Sequence, residues 1–142
     1  MRFWDSSAIV PLVLDEGASE GARAVLREDQ DMVVWWSTPV EVASALARAE
    51  RARALPPAEV DLARRALEDL MERWNEVLPS EEVRERAQVG LLHHPLRAAD
   101  ALQLGAALAW ARGRPRSHGF LSLDERLADA ARREGFEVLA LT

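Results

Sequence analysis

MVVWWSTPVEVASALARAERAR, residues 32–53, changes character at its midpoint. Met32 to Trp36 is a bulky, β-favouring run, too short for anything but a strand. Ser37-Thr38-Pro39 then opens a helix through roughly Arg53, with Thr38 as N-cap and Pro39 at its first position. The same alternation extends outward in both directions. Met1–Trp4 is a strand candidate, followed by helices from Ser6 to about Asp15 and from Ala18 to Glu28. Beyond Leu55-Pro56-Pro57, residues Glu59–Asn75 carry Val60, Ala63, Leu67, Leu70, Met71 and Trp74 at helical spacing. Glu76–Leu78 reads as a short strand, Ser80 caps a helix to about Leu92, and Leu96–Trp110 is an apolar, mostly buried helix. Gly119–Ser122 is a strand, Asp124–Glu134 a helix, and Phe136–Leu141 a last strand. Strands alternating with helices predict an α/β fold: a parallel sheet with helices on both faces, three layers in one domain over residues 1–142.

Composition narrows the chemistry. With 49% hydrophobic and 30% charged residues, the chain is that of an ordinary folded protein. It has no cysteine, which excludes disulfides and thiolate metal sites. A net charge of −6 argues against broad adhesion to nucleic acid. All 18 basic residues are arginine, so lysine-dependent mechanisms are excluded, among them the phosphate-binding lysine of P-loop enzymes. Neither a signal peptide nor a membrane-spanning run is read from the sequence, and the expected location is cytoplasmic.

Four acids sit where a strand or loop turns into a helix: Asp5, Glu41, Asp100 and Asp124. In alternating α/β folds, residues distant in sequence converge at the carboxyl ends of the strands. Four carboxylates together repel one another unless a cation lies between them, and an all-oxygen set suits a hard divalent ion such as Mg²⁺ or Mn²⁺. Each acid also has a structural account. Thr38 and Glu41 fit a capping box, Asp100 complements a helix dipole, and Asp124 can cap the following helix. Asp5 is harder to explain that way, because it ends a strand where an apolar residue is expected.

The segments FWDSSAIVPLVLDE, STPVEVASALARA, LRAADALQLGAALA and FLSLDERLADAARREGFEVL, taken in order, resemble the PIN-domain ribonucleases. They are most similar to the VapC-type toxins of toxin–antitoxin pairs. The resemblance implies a three-layer α/β/α sandwich and Mg²⁺- or Mn²⁺-dependent endonucleolytic cleavage of RNA. It matches Asp5, Glu41, Asp100 and Asp124 to the family's acids, and Ser6 and Ser122 to its small hydroxyl residues. Asp5 and Asp100 are expected to contact metal directly, with Glu41 and Asp124 acting directly or through water. A cognate antitoxin and a homodimer are implied as partners. Two departures, Gln103 where many relatives carry histidine and Leu123 where many carry an aromatic, bear on substrate choice.

Other residues are assigned from the chain itself. Arg97 is the arginine best placed for phosphate, with Arg48, Arg51, Arg53 and Arg112, Arg114, Arg116 as further candidates. Val60, Leu67 and Trp74 line candidate antitoxin grooves or belong to the core. His93 and His94 are read as structural. The competing functional classes are a non-catalytic PIN-like binding scaffold and an acid-pocket phosphatase or receiver domain. The absence of lysine disfavours the second.

Overall fold

The computed structural model describes residues 1–141. Five strands and seven helices alternate: β1 (Arg2–Trp4), α1 (Ser6–Val13), α2 (Ser19–Glu28), β2 (Met32–Trp35), α3 (Thr38–Arg51), α4 (Pro57–Met71), β3 (Asn75–Val77), α5 (Glu81–His93), α6 (Ala98–Trp110), β4 (Gly119–Leu121), α7 (Glu125–Glu134) and β5 (Glu137–Val138). All pairings are parallel and the spatial order is β3-β2-β1-β4-β5. That order differs from the 2-1-3-4-5 arrangement of receiver domains. The chain leaves β1 toward one edge and later leaves β4 toward the other, so the β1–β4 boundary is a topological switch point.

Side chains on a strand alternate between its two faces, and here each face has its own core. Trp4, Val34 and Leu121 point into a cluster with Ile9, Val42, Leu46, Val60 and Leu67, supplied by α1, α3 and α4. Phe3, Val33, Trp35 and Phe120 point the other way, against Leu104, Ala107, Leu127 and Ala131 of α6 and α7. The result is the expected three-layer α/β/α sandwich. No helix among the described residues is long and apolar enough to cross a membrane.

Several local readings change. Val60, Leu67 and Trp74 belong to the first core, so they line no groove for a partner. Trp74 lies past the end of α4, and its indole N–H donates to Glu76 Oε2 at 2.9 Å. Trp35 is core whereas Trp36, one residue past the strand, is 53% exposed. Trp110 is only partly buried, tilted against Phe3 and edge-on to His118. The last strand is shorter than predicted, pairing with β4 only over Glu137–Val138. His94 is tied to Glu134 of α7 at 2.8 Å, joining the end of α5 to α7, as its structural reading expects.

Helices α5 and α6 pack closely, and two glycines play opposite parts. A Cβ added at Gly105 would lie 2.8 Å from the Val83 carbonyl oxygen and 2.9 Å from the Ala87 nitrogen, both backbone atoms of α5. At Gly90 the nearest atom would be Leu104 Cδ2 at 3.6 Å, an ordinary contact. Chemical denaturation should therefore separate the two. Gly105→Ala is expected to lower the midpoint, because overpacking of about 1–3 kcal/mol offsets the ~1 kcal/mol helical advantage of alanine. Gly90→Ala should raise it, by about 0.5–1 kcal/mol.

Candidate functional site

Asp5 is the N-cap of α1 and stands at the carboxyl end of central strand β1. It is 3% exposed. Its Oδ2 accepts from the Ser7 hydroxyl at 2.5 Å and the Ser122 hydroxyl at 2.8 Å, and from the Ser7 backbone N–H at 3.4 Å. Each hydroxyl oxygen in turn accepts a backbone N–H from the loop after β4: Ser7 from Leu123 at 2.8 Å and Ser122 from Asp124 at 3.0 Å. Two serines thus spend their single protons on one carboxylate while pinning the loop across the switch point. Ser6, expected near the site, donates its hydroxyl to Asp5 Oδ1 at 3.3 Å and lines the adjoining cleft. Burial raises the Asp5 pKa above its ordinary value, and the serine hydrogen bonds pull against that shift.

Glu41 departs from its structural account. Helix α3 begins one residue earlier than predicted, with Ser37 as N-cap and Thr38 as first helical residue, so the capping box does not form. The Glu41 N–H bonds to the Ser37 carbonyl in the ordinary helical way at 3.2 Å. Its side chain instead accepts from Gln103 Nε2 of α6 at 2.6 Å. Burial, followed by the neighbouring Asp5 and Asp100 charges, raises its pKa to about 7, with the Gln103 hydrogen bond opposing the rise.

The other two acids keep their local roles and face the site as well. Asp100, in the first turn of α6, accepts a long 3.4 Å hydrogen bond from the Arg97 N–H. Its pKa is raised by partial burial and then by Asp124, while Arg97 and Arg126 lower it. Asp124 caps α7, its Oδ1 accepting from the N–H groups of Arg126 at 2.9 Å and Leu127 at 3.2 Å. The charges of Asp5 and Asp100 act on Glu41 and that of Asp124 acts on Asp100, so the four acids gather at the switch point. None forms a salt bridge among the described residues.

Two clefts meet at Asp124, with Glu41 on one, Asp100 on the other and buried Asp5 beneath them lining neither. One, of about 680 Å³, is lined by Glu41, Asp124, Ser6, Ser7, Val40, Leu123 and Arg48 among others. The second, of about 440 Å³, is lined by Arg97, Asp100, Asp124, Glu125 and Arg126. Of the arginine candidates, Arg48 and Arg97 reach the clefts, and Arg126 joins them. Arg112, Arg114 and Arg116 precede β4 and so lie toward the amino-terminal rim of the sheet, opposite the acids; they are corrected out of the site.

Glu41, Asp100 and Asp124 line the clefts and Asp5 lies close enough to act on Glu41, a carboxylate set with no imidazole or thiolate, which fits a hard divalent cation. Among the described residues no three of these groups already enclose an ion position. Their mutual repulsion is what a bound cation would relieve, so the residues present fit one. The missed contributors are Ser7, Thr38 and Gln103, whose roles depend on contacts between elements rather than on any local pattern.

The raised Glu41 pKa has a thermodynamic consequence. From its unfolded value near 4.5 up to about 7, the folded chain holds this proton more tightly than the unfolded chain. Its contribution to stability is therefore fullest below pH 4.5 and is lost as pH rises toward 7. In EDTA, Glu41→Gln should gain thermal stability relative to the parent progressively across that interval, measured by calorimetric scans at stepped pH.

Comparison with known proteins accords with this fold. The family model of the PIN domain matches residues 2–133. No curated protein matches the sequence. Among solved structures, a chain of a toxin-antitoxin complex from Klebsiella pneumoniae superposes with a TM-score of 0.66 at 14% identity, covering 100% of this chain and 98% of that one. The crystal structure of FitAcB from Neisseria gonorrhoeae gives 0.68 at 17% identity, covering 99% and 98%. At such identities the structures speak for the fold, while the model spans nearly the whole sequence. The chain belongs to the PIN domain family, whose members are generally nucleases.

Proposed function

We propose that this chain, as one nuclease domain over residues 1–142, is a divalent-metal-dependent endoribonuclease and the toxin of a toxin–antitoxin pair. The observation that carries the reading is the meeting of Asp5, Glu41, Asp100 and Asp124 at the switch point, none of them in a salt bridge among the described residues. Asp5 and Asp100 hold Mg²⁺ or Mn²⁺ directly, and Glu41 and Asp124 do so directly or through water. Bound there, the cation supplies polarisation of a phosphoryl oxygen and acidification of the attacking water. Ser7 and Ser122 keep Asp5 fixed, and the chain contributes no covalent nucleophile. Hydrolysis leaves 5′-phosphate and 3′-hydroxyl ends.

The arginines flanking the acids serve the substrate. Arg48 is seven residues beyond Glu41 on α3, about 10 Å along the helix axis. Arg97 and Arg126 stand in the other cleft. A phosphate backbone laid over the acids is gripped on both sides. Val40 and Leu123 give the larger cleft an apolar wall. The antitoxin partner is carried over from the Klebsiella pneumoniae complex and from the family resemblance. An inhibitory segment bearing an arginine suits the uncompensated acids. Homodimerisation and a cytoplasmic site of action complete the reading.

Purified chain incubated with end-labelled RNAs should cleave them with Mg²⁺ or Mn²⁺ and stop in EDTA. Asp5→Asn and Asp100→Asn should each lower the rate on the order of 10²–10³-fold, the scale of losing one electrostatic stabiliser. Undiminished cleavage by Asp5→Asn would overturn the reading in favour of a contaminating nuclease or a binding scaffold. Arg48→Ala and Arg97→Ala should each reduce the salt slope of RNA binding by about one, whereas Arg114→Ala should leave it unchanged.

A further inference from the structure

Gln103 stands three residues after Asp100 on α6, so one helix face carries both side chains toward the acids. It is 1% exposed, on a helix whose buried residues Leu104, Ala106 and Ala107 are otherwise core. Its Nε2 donates to Glu41 Oε2 at 2.6 Å and to Thr38 Oγ1 at 3.1 Å. Its Oε1 is buried with no hydrogen-bond partner among the described residues. A residue placed there for packing alone would be apolar and leave no orphaned oxygen. Reversing the amide would set that oxygen against the Glu41 carboxylate, so the orientation seen is the one that serves Glu41.

Resting on the nuclease reading above, we propose that Gln103 is the positioning residue for Glu41. It fixes Oε2 by a hydrogen bond from its side-chain amide and thereby leaves Oε1 for the cation. Because α3 packs in one core and α6 in the other, this bond ties the two helical layers together over the rim of the sheet. Helix α6 then supplies one acid directly and sets the aim of a second. A metal site whose supporting hydrogen bond is lost binds its ion 10–100-fold more weakly, as a general rule.

The test uses the full chain, Mn²⁺ titration calorimetry and thermal unfolding in EDTA. Gln103→Met is close in shape, has no donor and removes the orphaned oxygen. It should weaken Mn²⁺ binding roughly 10–100-fold while unfolding in EDTA no earlier than the parent. Gln103→His, which restores a donor, should recover most of the affinity. In a Glu41→Gln background, Gln103→Met should cause no further loss, since its effect passes through Glu41. Parental affinity in Gln103→Met overturns the inference, as does an equal loss with and without Glu41. Should Gln103→Met unfold early, the inference stands on Gln103→His: native unfolding with affinity as poor as the methionine variant overturns it. A parent chain that binds no Mn²⁺ sinks the metal-dependent nuclease reading itself, and this inference with it.

Discussion

A carboxylate at the end of a buried central strand must be compensated, and the arrangement of the rim follows from how Asp5 is compensated. The compensation is made of hydroxyls and not of an arginine. Hydroxyls stabilise the charge without neutralising it, so the negative potential remains available at the mouth of the clefts. The same bonds lock the loop after β4 against the start of α1, and so seat Asp124 beside the others. A salt bridge at Asp5 would have satisfied the fold more simply and left nothing for a cation to bind.

The sheet makes such a convergence possible. Parallel strands deliver all their carboxyl ends to one rim, and the reversal of winding between β1 and β4 leaves a crevice there. Helices α3 and α4 lie in one layer and α6 and α7 in the other, so the acids approach from both sides.

Much of this was legible in the sequence. Short β-branched and aromatic runs alternate with capped amphipathic segments, and that pattern gave the layers and all five strands. The four acids stood out because each followed a strand or opened a helix. What was illegible depended on distance in space. The Thr38–Glu41 spacing satisfies a capping box on paper, but the helix starts one residue earlier, and Glu41 turns to Gln103 instead. Gln103 stood out in the sequence only as a departure bearing on substrate choice, and its bond to Glu41 is seen only in the fold. Ser6 and Ser7 are adjacent at the start of one helix, and only the fold reveals which hydroxyl reaches Ser122, since the hydroxyls of Ser7 and Ser122 are 3.2 Å apart. The arginines after α6 seemed close to Asp100 in sequence, yet a helix of 13 residues carries them to the opposite rim.

Asp5 and Asp124 hold their helices by accepting backbone N–H groups, a task that asparagine performs equally well. A single nucleotide change at either codon could therefore erase negative charge while sparing the architecture. Lineages carrying such a gene can drift toward silent, well-folded descendants in one step, so shape and chemistry are inherited on separate terms. Survival of the fold is then no guarantee that the acidic rim survives with it.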